Sequence, residues 1–214
     1  IHVPSLVSII VVGLLTLFVL QPVFGFVLDL ITGSLMWLFE NAGPLGGAAL
    51  SFSWLFLVML GIHHGFTPIN TALIQSVGYT PLYPFGSLAG GGQVGASLAL
   101  MVKYRSNKNL VSAVKGGLPA GILGIGEPLI YGVSLPLGRI FPLACLGGAV
   151  MGFFTQGSVA VNVSGILGVL VNISPLVYFA GYAISVVAGF VLVYFVGAKQ
   201  SALDTFEGHD LDSH

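Results

Sequence analysis

Glu127 is the one acidic or basic residue between Lys115 and Arg139, set in the apolar run Gly121-Ile122-Leu123-Gly124-Ile125-Gly126-Glu127-Pro128-Leu129-Ile130-Tyr131-Gly132. A carboxylate in such surroundings costs several kcal/mol unless polar groups meet it, so an acid inside a membrane segment is read as functional. The glycines ahead of it and the proline behind it stop a single helix from running through. Irregular backbone at membrane depth is tolerated where it lines a polar cavity. A second constellation lies upstream: the adjacent pair His63-His64, then Thr67, Asn70 and Gln75, with Gln93 further on. Carboxylate, imidazole and amide together suit a ligand rich in hydroxyls, because a carboxylate accepts from two hydroxyls while an amide both donates and accepts. A sugar is the ligand this set predicts, held by Glu127, Gly126, Pro128, His63, His64, Thr67, Asn70 and Gln93. Two plainer readings stay open: Glu127 caps the free N–H groups of a half-helix, or a histidine donates to a carbonyl of the preceding turn. Neighbouring side chains point apart, so one histidine rather than both should face a ligand, with His63 preferred.

Other chemistries fit less well. Adjacent histidines do not converge on one metal ion and no Cys or Asp completes a shell, so no metal and no cofactor are expected. A Ser-His-Asp hydrolase lacks a suitable acid, since the remaining carboxylates lie near residues 29–40 and in the tail. Cys145 is alone, which rules out an internal disulfide and suits a small buried hydrophobe. Tyr79, Tyr83 and Tyr131 either stack on a sugar ring or mark the membrane interface. With a formal net charge of -1 and few bases, the chain is no nucleic-acid binder.

The elements that must position these groups are membrane spans. Hydrophobic residues make up 56% of the 214 residues and charged ones 6%, where a soluble domain carries about a quarter charged residues. Neither Glu40–Lys103 nor Arg139–Lys199 contains an intervening Asp, Glu, Lys or Arg, and each gap exceeds the ~20 residues of one spanning helix. Residues 1–24 read as a first transmembrane span. Residues 25–43 read as an amphipathic connecting helix on the membrane surface, with Val27, Leu30, Ile31, Leu35 and Leu38 at helical spacing and Asp29 and Glu40 within about 20° on a helical wheel. Residues 44–197 hold the ligand site. Within them, 44–66 form a span ending at the histidines, 67–84 are too interrupted by prolines and glycine for one helix, and 85–102 form a glycine-rich span that lets a neighbour come close. Lys103, Arg105, Lys108 and Lys115 mark a cytoplasmic loop. A re-entrant hairpin over 116–138, its tip at Gly126-Glu127-Pro128, then returns Arg139 to the same side. Residues 142–157 cross outward, 158–175 lie outside, 176–197 cross back, and 198–214 form a solvated cytoplasmic tail. The opening Ile1 predicts that earlier parts of the protein precede it.

Two of these segments together resemble a known family. Gly124-Ile125-Gly126-Glu127-Pro128-Leu129-Ile130-Tyr131-Gly132 is similar to the Gly-Ile-Thr-Glu-Pro signature of enzyme IIC, the membrane component of the phosphoenolpyruvate-dependent sugar phosphotransferase system, glucose superfamily. Gly61-Ile62-His63-His64 resembles its upstream Gly-Leu-His-His element. Gly126 replaces the usual threonine, a variant most like the N-acetylmuramic acid branch, with the sucrose, trehalose and β-glucoside branches next. The resemblance, from about Pro4 to Gly197, implies the C-terminal part of an all-α IIC transporter fold and a multi-pass protein of the bacterial inner membrane, in which a homodimeric scaffold supports a moving transport domain. It implies that external sugar is phosphorylated during translocation by the phosphocysteine of a B domain, fused upstream or separate, itself charged by an A protein. Glu127 would then bind the sugar and help deprotonate the attacking hydroxyl, with His63 or His64 completing the pocket. The competing reading is a proton-coupled secondary transporter in which Glu127 carries the coupling proton and no phosphorylation occurs.

Overall fold

A chain this apolar satisfies its backbone within lipid by forming helices or a closed barrel. The described residues are helical almost throughout, with only the isolated bridges Thr80–Ser158 and Ser158–Asn172 as extended pairing. The computed structural model describes residues 3–150, 157–161 and 163–207, and within the first two helices and the last some side chains fall outside that description.

The chain divides into two units, residues 1–37 and 38–214. The first holds α1 (Val3–Leu15), which runs through a π turn (Thr16–Leu20) into α2 (Gln21–Ala42), and the division falls within α2. Val7–Phe26 is strongly apolar, with Ser8, Thr16 and Gln21 its polar exceptions, and none of its most apolar window is buried, as a lipid-facing span requires. No helix boundary falls between residues 24 and 25, where the sequence divided span from surface helix. The side chains of Val27, Ile31, Leu35, Leu38 and Glu40, on which the amphipathic reading rests, lie outside the described residues.

The second unit is built around α5 (Leu82–Lys103), a candidate span with 78% of its most apolar window buried. It packs on α8 (Ile140–Ala149) and α9 (Pro175–Val196). Its glycines make this possible: a Cβ on Gly92 would overlap the Ala144 carbonyl, and one on Gly95 the Val186 carbonyl. Small residues in membrane helices allow such backbone approach. Gly91 meets Ser185 in the same way, whereas a Cβ on Gly90 would meet nothing. Cys145 is fully buried beside this contact, as expected of a small hydrophobe.

Two breaks turn the remaining helices toward one another. α3 (Pro44–Met59) ends before Gly61, a 3₁₀ turn carries Ile62–Gly65, and α4 (Phe66–Val77) leaves at 113° to α3. The stretch 67–84 is therefore a helix, a turn at Gly78 and the start of α5, with Pro68 and Pro84 in first turns where a missing N–H leaves no bond unmade. The second break is the hairpin. α6 (Lys108–Ile122) starts earlier than the basic loop suggested, because the Asn107 side chain accepts from the Leu110 N–H at 2.9 Å and caps it. Pro119 lies inside α6 without ending it. After a turn at residues 123–126, the short α7 (Glu127–Leu129) and a π turn (Ile130–Ser134) run back along α6, Leu129 filling the space beside Gly117 and Gly121.

Basic side chains gather at one end of this unit. Arg139 Nε donates to the Gly197 carbonyl at 2.6 Å and its Nη2 to the Val196 carbonyl at 3.1 Å, while Lys103 Nζ donates to the Tyr194 carbonyl. Three cation–carbonyl bonds thus cap the C-terminus of α9, where orphan acceptors and the helix dipole favour positive charge. The segment read as a solvated tail begins with α10 (Gln200–Glu207), whose Leu203 is buried in the core and whose Phe206 carbonyl accepts from Asn109. Residues 208–214, including His209, Asp210, Asp212 and His214, lie outside the description, as do His2, Asn162 and residues 151–156 of the expected outward crossing.

Candidate functional site

The two breaks meet at a cavity of about 280 Å³, just below the ~300–1,000 Å³ usual for small-molecule sites. α3 supplies Trp54, Leu55 and Val58, the 3₁₀ turn His63 and His64, and α4 Phe66, Thr67 and Asn70. α5 adds Tyr83, Gly86, Ser87 and Gly90, and the hairpin adds Gly121, Gly124, Ile125, Gly126 and Glu127. The Trp54 ring lies flat where a Cβ on Gly86 would be, and tilts against Phe66 at 5.3 Å between centroids. The lining is therefore partly aromatic and apolar and partly charged, a mixture usual for small-molecule sites.

Glu127 opens α7 directly after the turn, and its Oε1 lies 3.8 Å from His63 Nε2, with side-chain exposures of 40% and 17% respectively. Among the described residues no hydrogen bond ties the carboxylate to the N–H groups of α7, so the helix-capping reading finds no contact to support it. His63 Nδ1 is buried without a hydrogen-bond partner, and Nε2 is the nitrogen that faces Glu127. The sequence predicts that one histidine rather than both faces a ligand. A 3₁₀ turn brings the His63 and His64 rings to 4.0 Å between centroids, and both line the cavity.

The other expected residues divide. Thr67 and Gly126 line the cavity. Asn70 lines it too but is 1% exposed and engaged by the protein, donating to the Phe66 carbonyl at 2.7 Å and accepting from Thr80 Oγ1 at 2.6 Å. Pro128 does not line the cavity and sits in the first turn of α7, where its missing N–H leaves no helical bond unmade. Gln93 is not at the cavity. It is buried in α5, its Nε2 donating to Ser134 Oγ at 2.7 Å, so it braces the returning arm of the hairpin. Tyr131 and Tyr79 do not line the site, and the Tyr131 hydroxyl donates to the Met59 carbonyl at 2.7 Å, tying the hairpin to the end of α3.

Ser164, like Trp54 and Ser87, is a cavity residue that sequence reasoning missed. It ends the run Asn162-Val163-Ser164, which reads in the sequence only as a common glycosylation pattern, and reaches the site because Gly165 docks on the hairpin turn. Ser164 Oγ donates to the Gly124 carbonyl at 3.1 Å, and Gly124 and Gly165, with φ of 95° and 59°, approach so closely that a Cβ on either would overlap the other strand's backbone. The Tyr178 hydroxyl holds the docked segment by donating to the Gly165 carbonyl at 2.6 Å, and Ser87 lies 2.6 Å from the same hydroxyl.

A helical membrane protein with a broken-backbone cavity carrying one acid and two histidines is the class this fold and site define. Residues 2–148 match the family described as "Phosphotransferase system, EIIC", and the chain belongs to that family. It is 45% identical over 201 residues to the MurNAc-GlcNAc-specific EIIBC component of the phosphotransferase system of Staphylococcus haemolyticus, covering 91% of this chain and 42% of that protein. The Staphylococcus epidermidis and Staphylococcus aureus proteins of the same description are 44% and 41% identical, covering 91% and 93% of this chain and 42% and 43% of their own lengths. The chain thus spans less than half the length of these curated relatives. No solved structure matches it.

Proposed function

We propose that this chain is the membrane part of a sugar permease in which an amino sugar of the MurNAc–GlcNAc type binds at the Glu127 cavity and is phosphorylated as it enters the cell. The observation that carries the reading is the Glu127 carboxylate beside His63 Nε2 at 3.8 Å, in the wall of a cavity sized for one sugar ring. Family membership and the relatives' shared description support the substrate class. Glu127 accepts from two ring hydroxyls, the Trp54 wall packs the apolar ring face, and His63 positions the carboxylate. A B domain presents its phosphocysteine to the bound sugar. The hydroxyl oxygen attacks phosphorus, the O–P bond forms as the S–P bond breaks, the thiolate leaves, and Glu127 or His63 takes the hydroxyl proton. Such transfer depends on positioning and charge stabilisation more than on covalent help from the membrane part.

In this reading residues 1–24 belong to a dimerising scaffold, 25–43 connect it to the moving part, and 44–197 carry the sugar, with the Lys103, Arg139 and Lys199 end facing the bacterial cytoplasm. An A protein recharges the B domain. The test uses membrane vesicles holding the permease with its B component. Phosphoenolpyruvate and the soluble partners should yield internal sugar phosphate. Accumulation of free sugar that collapses with an uncoupler would instead establish proton-coupled symport.

A further inference from the structure

We infer that Ser87 is a ligand-binding residue that offers the sugar an acceptor and no donor, with Tyr178 behind it as the positioning residue that fixes this polarity, a role that rests on the cavity being a sugar site. Ser87 Oγ lies 2.6 Å from the Tyr178 hydroxyl oxygen, which lies 2.6 Å from the Gly165 carbonyl. Contacts this short between two oxygens hold a proton between them, and a carbonyl has none to give. The Tyr178 proton therefore goes to Gly165. The proton between Ser87 and Tyr178 must then come from Ser87. Were the tyrosine to donate to the serine instead, lone pairs would face lone pairs at the Gly165 carbonyl, and Tyr178 is fully buried, with no water to relieve them. Among the described residues the Ser87 hydroxyl has no second partner, and Ser87 lines the cavity at 8% exposure while Tyr178 does not line it. What Ser87 presents to a ligand is thus an oxygen whose proton is already committed.

Ser164 is committed in the same way, its Oγ donating to the Gly124 carbonyl at 3.1 Å. An ionised Glu127 also only accepts. Three groups in the lining therefore show the ligand oxygen without a proton, which favours a sugar carrying free hydroxyls or an acetamido N–H over one of the same shape whose polar atoms only accept. Discrimination of that kind arises because a ligand lacking the donor leaves the protein's acceptor dry and unmet. Ser87 differs from Ser164 in how its direction is set. Ser164 bonds the hairpin turn itself, whereas Ser87 is oriented by a tyrosine from α9, 91 positions away in the chain.

The experiment is calorimetric titration of the purified full-length protein with the MurNAc–GlcNAc disaccharide and with analogues that each lose one donor: fluorine in place of one hydroxyl, or an O-acetyl group in place of one acetamido group. Analogues lacking a donor that the cavity uses should bind wild type about 10-fold weaker than the parent sugar, the scale of a buried acceptor left unmet. Ser87→Ala should weaken the parent sugar by a similar factor and reduce the penalty of one of those analogues to less than about two-fold, while the penalties belonging to Glu127 persist. Tyr178→Phe frees the Ser87 proton to turn toward the cavity, so it should shrink the penalty of that same analogue by about three-fold or more. A tyrosine that only packs would shift all the sugars alike. Unchanged affinity of Ser87→Ala for the parent sugar overturns the inference, as does a Ser87→Ala protein in which every analogue keeps its wild-type penalty, or a folded Tyr178→Phe protein that does so. If Tyr178→Phe fails to fold, the Ser87→Ala comparison decides by itself. If wild type binds the parent sugar and none of the penalties tracks Ser87, the Ser87 role fails and the sugar site stands. If wild type binds no sugar of the series, the reading of the cavity itself fails.

Discussion

Replacing Glu127 by Gln keeps the side chain's shape and removes its charge. Charged hydrogen bonds contribute about 1.5–3 kcal/mol, so sugar affinity should fall about 10- to 100-fold in equilibrium binding while the unfolding temperature stays unchanged. Normal binding by this variant would remove Glu127 from the site. His63→Gln should weaken sugar binding as well, because its Nε2 faces the carboxylate that holds the sugar. The acid and the histidines were legible in the sequence because a charge or an imidazole in an apolar run has few structural excuses. Gln93 and Asn70 looked equivalent to them as polar residues. Their partners, Ser134 and Thr80, lie 41 and ten positions away, and no local pattern reveals that the Gln93 Nε2 and the Asn70 amide are already engaged by the protein.

At the scale of the element, the hairpin depends on its contact with Ser164 and Gly165. Gly124 holds a φ of 95° with its Cβ direction blocked by Ser164. An alanine there meets left-handed strain of about 1–2 kcal/mol and a steric clash as well. Gly124→Ala should lower the unfolding temperature and loosen sugar binding together, whereas Gly90→Ala, where a Cβ meets nothing, should leave the fold unchanged. The hairpin was readable from the density of glycine and proline around Glu127. Its start was not, since the basic residues suggested a loop where the Asn107 cap in fact begins a helix. The docking of residues 164–165 was invisible, because backbone-to-backbone packing across forty residues leaves only two glycines in the sequence, among 31 in the chain.

For the whole molecule, the charge pattern and the spans agree because Lys103 and Arg139 both bind carbonyls at the end of α9. Arg139→Met should lower stability by about 1–2 kcal/mol in thermal unfolding, since the Val196 and Gly197 carbonyls lose charged donors. In a Cys145→Ala background, Arg105→Cys and Ser201→Cys should both react with an impermeant thiol reagent from the same side of the membrane; labelling from opposite sides would contradict the shared end. The chain has two tryptophans, Trp37 in the first unit and Trp54 in the cavity wall of the second. The molecule therefore carries its own optical reporter: with Trp37→Phe, indole emission comes from Trp54 alone, and a sugar displacing water from that ring should change its colour and quenching by added iodide, so occupancy can be followed without a label.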